Sequence, residues 1–306
     1  MSENADAHRF DPAPGVPVTL EPEVRRVLAP NPSPMTFRGT NTYLLGAGSI
    51  AVIDPGPAIP SHLDAILAAL SPGERITHIL VTHSHVDHSP LARPLARVTG
   101  APVLAHGDSR AGRSADMERL AEDGLAGGGE GVDTGFVPDR RLADGETVDG
   151  GSWSLTAIWT PGHFGNHMSF ARGDAVFTGD HVMGWASSMV SPPDGDLTAF
   201  MASCRALRAR RDRVYYPGHG GPVHDPAARL DWLISHRETR TAQILAALGA
   251  GSATIPEMTA RIYHDADPAL LPAAERNVFA HLIDLERKGR AKALPRTGIG
   301  ARYALA

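Results

Sequence analysis

His83, His85, Asp87 and His88 form the run His-x-His-x-Asp-His, directly after the apolar segment Ile76 to Val81. On an extended segment, side chains two residues apart point the same way, so His83 and His85 can grip one cation. Asp87 and His88 follow where the chain turns toward a helix starting near Ser89, and can face a second cation. Neutral imidazoles and a carboxylate are the ligands a zinc-type ion takes. Such a run is rare by chance, even in a chain with 15 histidines among 306 residues.

Two histidines leave a cation under-coordinated, and three further candidates follow. His163 lies in Thr160-Pro161-Gly162-His163, Asp180 in Thr178-Gly179-Asp180-His181, and His219 in Tyr216-Pro217-Gly218-His219-Gly220. Each sits on a loop after an expected buried strand, with a glycine just before it that permits the turn needed to aim a ligand. Two cations a few ångströms apart can hold a water and lower its pKa toward neutrality, so that hydroxide attacks a carbonyl or phosphorus centre. Asp87 can orient that hydroxide as well as bind. His224, five residues after His219, is the candidate proton donor to the leaving group; its alternative is a polar loop residue. Asn41 and Thr42 belong either near the site or to a turn.

The remaining histidines read as structure. His78 lies inside a strand as a packed residue. His181 points away from the cations because neighbouring extended residues alternate faces. His106, His167, His236, His264 and His281 read as structural or surface residues. The single cysteine, Cys204, sits among Phe200, Met201 and Leu207 as core, and its solitude excludes a disulfide and any multi-cysteine zinc site. Trp185 and Met189 either line a substrate entrance or pack.

The elements that must carry these residues alternate in type. Strands are expected at 43–45, 50–53, 76–81, 102–105, 153–159, 167–171, 174–177 and 214–216. Helices are expected at 61–70, capped by Ser61, at 91–98 and at 197–210. This alternation predicts a layered α/β core. Gly124 to Gly135 holds six glycines and reads as an insertion or mobile loop beside the site. After Pro226 the texture changes to helices at 227–248, 255–263 and 272–288, then a hairpin over 291–305, which is the winged-helix plan. That segment has 11 basic and 8 acidic residues, net +3, against 18 and 26, net −8, before it. Such asymmetry marks a separate module. The expected divisions are a mobile arm at 1–16, a catalytic domain at 17–225, and a connecting helix with a small domain at 226–306.

The order His83-His85-Asp87-His88, His163, Asp180, His219 resembles the metallo-β-lactamase superfamily, over about residues 17 to 226. The resemblance implies an αββα sandwich with a two-metal site at one edge. His83, His85 and His163 would hold the first metal, Asp87, His88 and His219 the second, and Asp180 would bridge them. A bridging carboxylate, in place of the cysteine of one zinc β-lactamase class, speaks against that activity. The runs Gly39-Thr40-Asn41-Thr42-Tyr43, Tyr216-Pro217-Gly218-His219-Gly220 and Ile234-Ser235-His236-Arg237 look like the beta-lactamase-like protein 2 family. That family carries a C-terminal winged-helix-like domain, and the similarity reaches about Leu294. Glyoxalase II enzymes share the ligands but have a different C-terminal region.

The expected activity is therefore a binuclear metal-dependent hydrolase of a small ester, thioester or lactone. Its cofactors would be two zinc ions, with iron or manganese able to replace them. The alternative is an endoribonuclease on single-stranded RNA, suggested by the activity of that family and by Arg287, Lys288, Arg290, Lys292, Arg296 and Arg302 of the wing. A third reading is a non-enzymatic nucleic-acid-binding protein with a structural metal; seven ligands argue against it, because structural zinc sites are closed sets of four. The formal charge of −5 disfavours a general nucleic-acid coater. Polar residues Met1 to Phe10 show no secretory signal, and no apolar run spans a membrane, so a cytoplasmic location is expected. A homodimer is compatible with the sequence.

Overall fold

Alternation of apolar residues along the central strands dictates the architecture. In the segment 43–45, Tyr43 and Leu45 face one core and Leu44 another; in 50–53, Ala51 and Ile53 face the first and Ile50 and Val52 the second. Strands with apolar residues on both faces must be covered twice. The computed structural model describes residues 10–128, 131–265 and 267–306, and in it both faces are covered.

The first sheet runs in spatial order β1 (Val18–Glu21), β2 (Val24–Leu28), β3 (Asn41–Leu45), β4 (Ser49–Ile53), β5 (Arg75–Leu80), β6 (Val103–Ala105) and β7 (Arg140–Arg141). The pairs from β1 to β4 are antiparallel, and those from β4 to β7 are parallel. The parallel pairs need crossovers, supplied by α1 (Pro60–Ala68) and α2 (Ala92–Thr99). The second sheet contains β8 (Thr147–Asp149), β9 (Ser154–Trp159), β10 (Met168–Arg172), β11 (Ala175–Gly179) and β12 (Val214–Pro217).

Three layers of apolar contact hold these parts. Tyr43, Leu45, Ile53 and Leu80 of the first sheet meet Leu155, Phe170, Phe177 and Tyr216 of the second. Ile66 of α1 and Leu95 of α2 cover the outer face of the first sheet. Phe200, Cys204 and Leu207 of α4 (Leu197–Arg210) cover the outer face of the second, with Leu230 and Leu233 of α5 (Pro226–Gly249). The order is helix, sheet, sheet, helix.

The later part of α5 enters another core. Its Ile244 and Leu248 pack with Met258 of α6 (Ile255–Ile262) and with Val278, Leu282 and Leu285 of α7 (Leu271–Arg287). The small sheet of β13 (Ala253–Thr254), β14 (Ala291–Leu294) and β15 (Arg302–Leu305) closes that module through Tyr303. Thr254 and Glu257 form a capping box at the start of α6. Among the described residues no helix is long and apolar enough to cross a membrane.

The structure departs from the sequence reading in several places; β7 and β8, for instance, lie where no strand is expected. α3 (Ala115–Glu122) was not expected; its two buried residues, Met117 and Leu120, pack on the C-terminal core rather than on either sheet. β1 and β2 also lie before residue 43, where the expected strands begin. Ser61 does not cap α1: Ile59 occupies that position without a side-chain bond, and Pro60 starts the helix. Of the expected arm, residues 1–9 lie outside the described residues. The next stretch packs on the body: Phe10 is buried beneath Arg26 and stacks with Phe37, and the Gly15 N–H donates to Leu28 O.

Candidate metal centre

The seven expected ligands leave the C-terminal ends of β5, β9, β11 and β12, and they meet in one buried cluster. His83 Nε2 lies 2.9 Å from His85 Nδ1, which lies 3.1 Å from His163 Nε2. Asp87 Oδ2 lies 3.2 Å from His88 Nε2 and 3.1 Å from His219 Nε2. Asp180 sits between the two groups, with Oδ2 at 3.2 Å from His219 Nε2 and 3.8 Å from His163 Nε2. His83, His88 and Asp180 also converge.

Four of the five rings are aimed by their other nitrogen. His88 Nδ1 donates to Asp54 Oδ2 at 2.9 Å, His163 Nδ1 to Met189 O at 2.7 Å, and His219 Nδ1 to Gly39 O at 3.1 Å. His83 Nδ1 donates to Thr82 Oγ1 at 2.9 Å, because the Thr82 hydroxyl spends its own proton on Asp54 Oδ2 at 2.7 Å. With Nδ1 protonated, Nε2 carries the lone pair and faces the centre, the orientation a metal ligand requires. Among the described residues, His88 Nε2 and Asp180 Oδ1 are buried without a hydrogen bond of good geometry. Buried polar atoms are normally paired, so these two orphans and the convergent lone pairs fit a divalent cation.

Asp54 was not singled out in the sequence, yet it organises the site. It directly follows β4 in a left-handed conformation, φ 51°, that few non-glycine residues adopt. Its carboxylate accepts from Thr82 N, Thr82 Oγ1 and His88 Nδ1, at 2.7, 2.7 and 2.9 Å. The Asp54-Pro55-Gly56 turn after an apolar strand was the available signal. Thr40 was also missed; its hydroxyl donates to Asp87 Oδ2 at 3.2 Å. Asn41 clamps the His219 loop, with Nδ2 donating to Pro217 O and Gly220 O at 3.0 and 2.8 Å. Thr42 Oγ1 donates to Asp54 O at 2.7 Å. Gly218 is required by closeness: a Cβ there would lie 2.3 Å from Asp180 Oδ1.

Electrostatically the cluster has two halves. Burial and the neighbouring His88, His85 and His163 rings hold His83 well below its ordinary pKa, and burial takes His85 to about 3. On the other side burial is outweighed: Asp180 and Asp87 lift His219 to about 10, and Asp87, Asp180 and Asp54 lift His88 well above its ordinary value. The Asp87 and Asp180 carboxyls lie well below theirs, since the His88 and His219 rings offset the penalty of burial. Three neutral imidazoles thus face two carboxylates that already draw positive charge inward.

A cavity of about 380 Å³ opens onto Asp87, Asp180, His85, His163 and His219. Trp185 and Met189 line it, as the entrance reading expects. Trp185 stacks on Phe37 at 4.9 Å. The far wall comes from the C-terminal module, through Arg237, Arg240, Tyr263 and Asn277. His224 is not brought to the site. It is exposed, directly before Asp225 caps α5, and it does not line the cavity. His181 turns inward, its Nε2 3.5 Å from Cys204 Sγ, and burial raises that thiol's pKa to about 12. The glycine-rich loop borders the histidine run: Val132 bridges His85, and Ser89 Oγ donates to Asp133 Oδ2 at 2.9 Å. Residues 129–130 of that loop lie outside the described residues. Four of the six basic residues of the wing face acids: Arg287 meets Asp116 and Asp196, Lys288 meets Asp284, Arg296 meets Asp123, and Arg302 meets Glu257.

Comparison with known proteins agrees with this geometry. The family described as Metallo-beta-lactamase superfamily matches residues 35–219, and the Beta-lactamase associated winged helix domain matches residues 254–298. The chain is 30% identical to the atrochrysone carboxyl ACP thioesterase of Cryptosporiopsis sp. (strain 8999), covering 80% of this chain and 73% of that protein. It is 31% identical to the lactamase-like protein adaB of Aspergillus niger, covering 78% and 73%. A solved metallo-beta-lactamase family protein of Thermus thermophilus superposes with a TM-score of 0.74 at 26% identity, over 94% of this chain and 100% of that one. The chain belongs to the metallo-β-lactamase superfamily, with a β-lactamase-associated winged-helix domain following the catalytic fold.

Proposed function

We propose that this metal-dependent hydrolase works with two divalent cations, zinc-type in preference, and that its substrate is an acyl thioester. The observation that carries the reading is the joining of two ligand triads by Asp180 at the floor of one cavity. His83, His85 and His163 would hold one cation and Asp87, His88 and His219 the other, and the pair would supply an activated water and a Lewis acid toward the acyl oxygen.

The chain's own groups account for the rest. Asp180, between the two triads, would offset the repulsion between two cations. Thr40 Oγ1 holds the Asp87 carboxylate by donating to Oδ2, so Asp87 keeps its charge and its aim toward the cavity. Asp54 fixes the tautomer of His88. Met35, Met183, Trp185 and Met189 give the cavity an apolar wall suited to an acyl chain.

The leaving group favours a thioester over a lactone or another ester. With His224 on the surface, the expected donor is missing from the cavity. A thiol of pKa about 8.5 departs as thiolate near neutrality without one, whereas an alkoxide does not. Relatives named as thioesterases support the same choice. Cleavage of RNA draws less support, because the wing's charges are largely spent on internal acids. Purified protein, stripped with chelator and reloaded, tests the reading against acyl thioesters, lactones and single-stranded RNA. Near two ions per chain with metal-dependent thioester turnover is expected. Turnover that survives complete metal removal, or RNA cleavage with no thioester hydrolysed, refutes it.

A further inference from the structure

The run Ile234-Ser235-His236-Arg237 lies on α5, and the hydrolysis proposed above gives it no part. Yet Arg237 and, one turn on, Arg240 line the same cavity as Asp87 and Asp180. Arg237 is 3% exposed. A charge this buried ordinarily faces a carboxylate. Its contacts are all neutral: Nη1 donates to Asn277 Oδ1 at 2.9 Å, Nη2 donates to Ser188 O, and the guanidinium lies 5.3 Å from the centre of the Phe200 ring. Its Nε is buried and has no hydrogen-bond partner among the described residues.

Arg240 is similar. Nη1 donates to Gln243 Oε1 at 2.8 Å, and the guanidinium lies 4.2 Å from the centre of the Tyr263 ring. Neither arginine is in an ion pair among the described residues. His236 brings no balancing charge, since burial and the flanking arginines take its pKa to about 4, leaving it neutral near pH 7. Burial lowers Arg237 only to about 10, so it stays cationic there. The cavity's two carboxylates, Asp87 and Asp180, lie at its floor beside the ligand ring of His219, within 3.1 and 3.2 Å of its Nε2, and pair with neither arginine. One wall therefore holds two positive charges that no carboxylate pairs with among the described residues, on side chains already held by Asn277 and Tyr263.

We propose that Arg237 and Arg240 form an anion subsite that recognises a carboxylate or phosphate on the substrate, remote from the bond that is cleaved. The inference rests on the cavity being where the thioester is bound. A planar guanidinium fork suits either anion. Its place on the module wall makes the C-terminal module a determinant of specificity. A carboxylate would belong to the acyl group and a phosphate to the thiol, and the test separates these sources.

Four thioethers, which cannot be hydrolysed, are titrated by calorimetry into the full chain. The acyl side ends in a carboxylate or its carboxamide, and the thiol side ends in a phosphate or a plain ethyl group. The wild type is expected to bind one class of anionic compound about ten- to a hundredfold more tightly than the doubly neutral one. Arg240→Gln should remove most of that preference, while Arg237→Lys, keeping charge without the fork, should weaken it. Preference for the carboxylate places the anion on the acyl side, and preference for the phosphate places it on the thiol side. Equal binding of all four by the wild type overturns the subsite, as does a preference unchanged in Arg240→Gln. The four matching thioesters are assayed alongside. If none is hydrolysed while an Arg240-dependent preference stands, the hydrolase reading fails and the subsite remains.

Discussion

Replacing Asp54 by Asn is the sharpest test of how the centre is built, because Asp54 does not line the cavity over the ligands yet accepts from both Thr82 and His88. Its carboxylate takes three hydrogen bonds, at 2.7, 2.7 and 2.9 Å, and is 2% exposed. An amide has one acceptor atom where the carboxylate has two. If its oxygen stays with Thr82 N, its NH2 group confronts the donors of Thr82 Oγ1 and His88 Nδ1. Two charge-assisted bonds are then lost, at about 1.5 kcal/mol each at the low end of their range, together about 3 kcal/mol. His88 would no longer be held with its Nε2 lone pair toward Asp87 and Asp180. The His88 share of this, about 1.5 kcal/mol, lowers metal affinity on the His88 side about tenfold at 1.4 kcal/mol per factor of ten, within the range for loss of a partner that orients a ligand. Competition with a chromogenic chelator reads the affinity of each ion, and turnover at rising metal concentration shows whether excess metal restores activity. A properly folded variant that binds both ions as tightly as the wild type would refute the assignment of Asp54.

Three further outcomes follow from the same geometry. Asp180→Asn should keep the fold and lose about a hundredfold or more in turnover, because a neutral amide cannot offset two cations; two bound ions with undiminished turnover would show Asp180 misassigned. Gly218→Ala places a methyl group 2.3 Å from Asp180 Oδ1 and 2.6 Å from His88 Cε1, so metal content and activity should fall together; an alanine variant with full metal content and normal turnover would contradict the packing. His62 is buried, and burial takes its pKa to about 4, so it is neutral when folded but protonated in the unfolded chain below about pH 6.5. Stability from this group is therefore complete above that pH and is lost as the pH falls toward 4, by up to about 3 kcal/mol. Urea midpoints between pH 7 and 4.5 should fall less steeply in His62→Gln; equal slopes would rule out His62 as the source.

Local pattern along the chain is enough to pick out the ligand set and most of the frame that holds it. His83, His85, Asp87, His88, His163, Asp180 and His219 are legible because they follow short apolar strands, the first four as one dense run and the last three each with a glycine just before it, all local signals. α4 is read at its full extent, Leu197 to Arg210, for the same reason. What stayed hidden depends on residues far apart in the chain. Asp54 meets His88 and Thr82 only because β4 and β5 lie side by side in parallel, and Thr40 meets Asp87 only because residue 40 bridges His219. Met189 and Gly39 act through backbone oxygens, which side-chain identity does not reveal. α3 is not legible because its two buried residues pack on a module more than a hundred residues later. β2 was unreadable because Arg25 and Arg26 interrupt its pattern; Arg25 is satisfied by Glu74, and Arg26 is covered by the Phe10 ring. His224 shows the opposite failure: a good spacing after His219, spoiled when the turn into α5 aims it at solvent. Only the folded chain could bring Arg237 and Arg240 opposite the metal ligands, since that wall exists only where the C-terminal module closes over the sandwich.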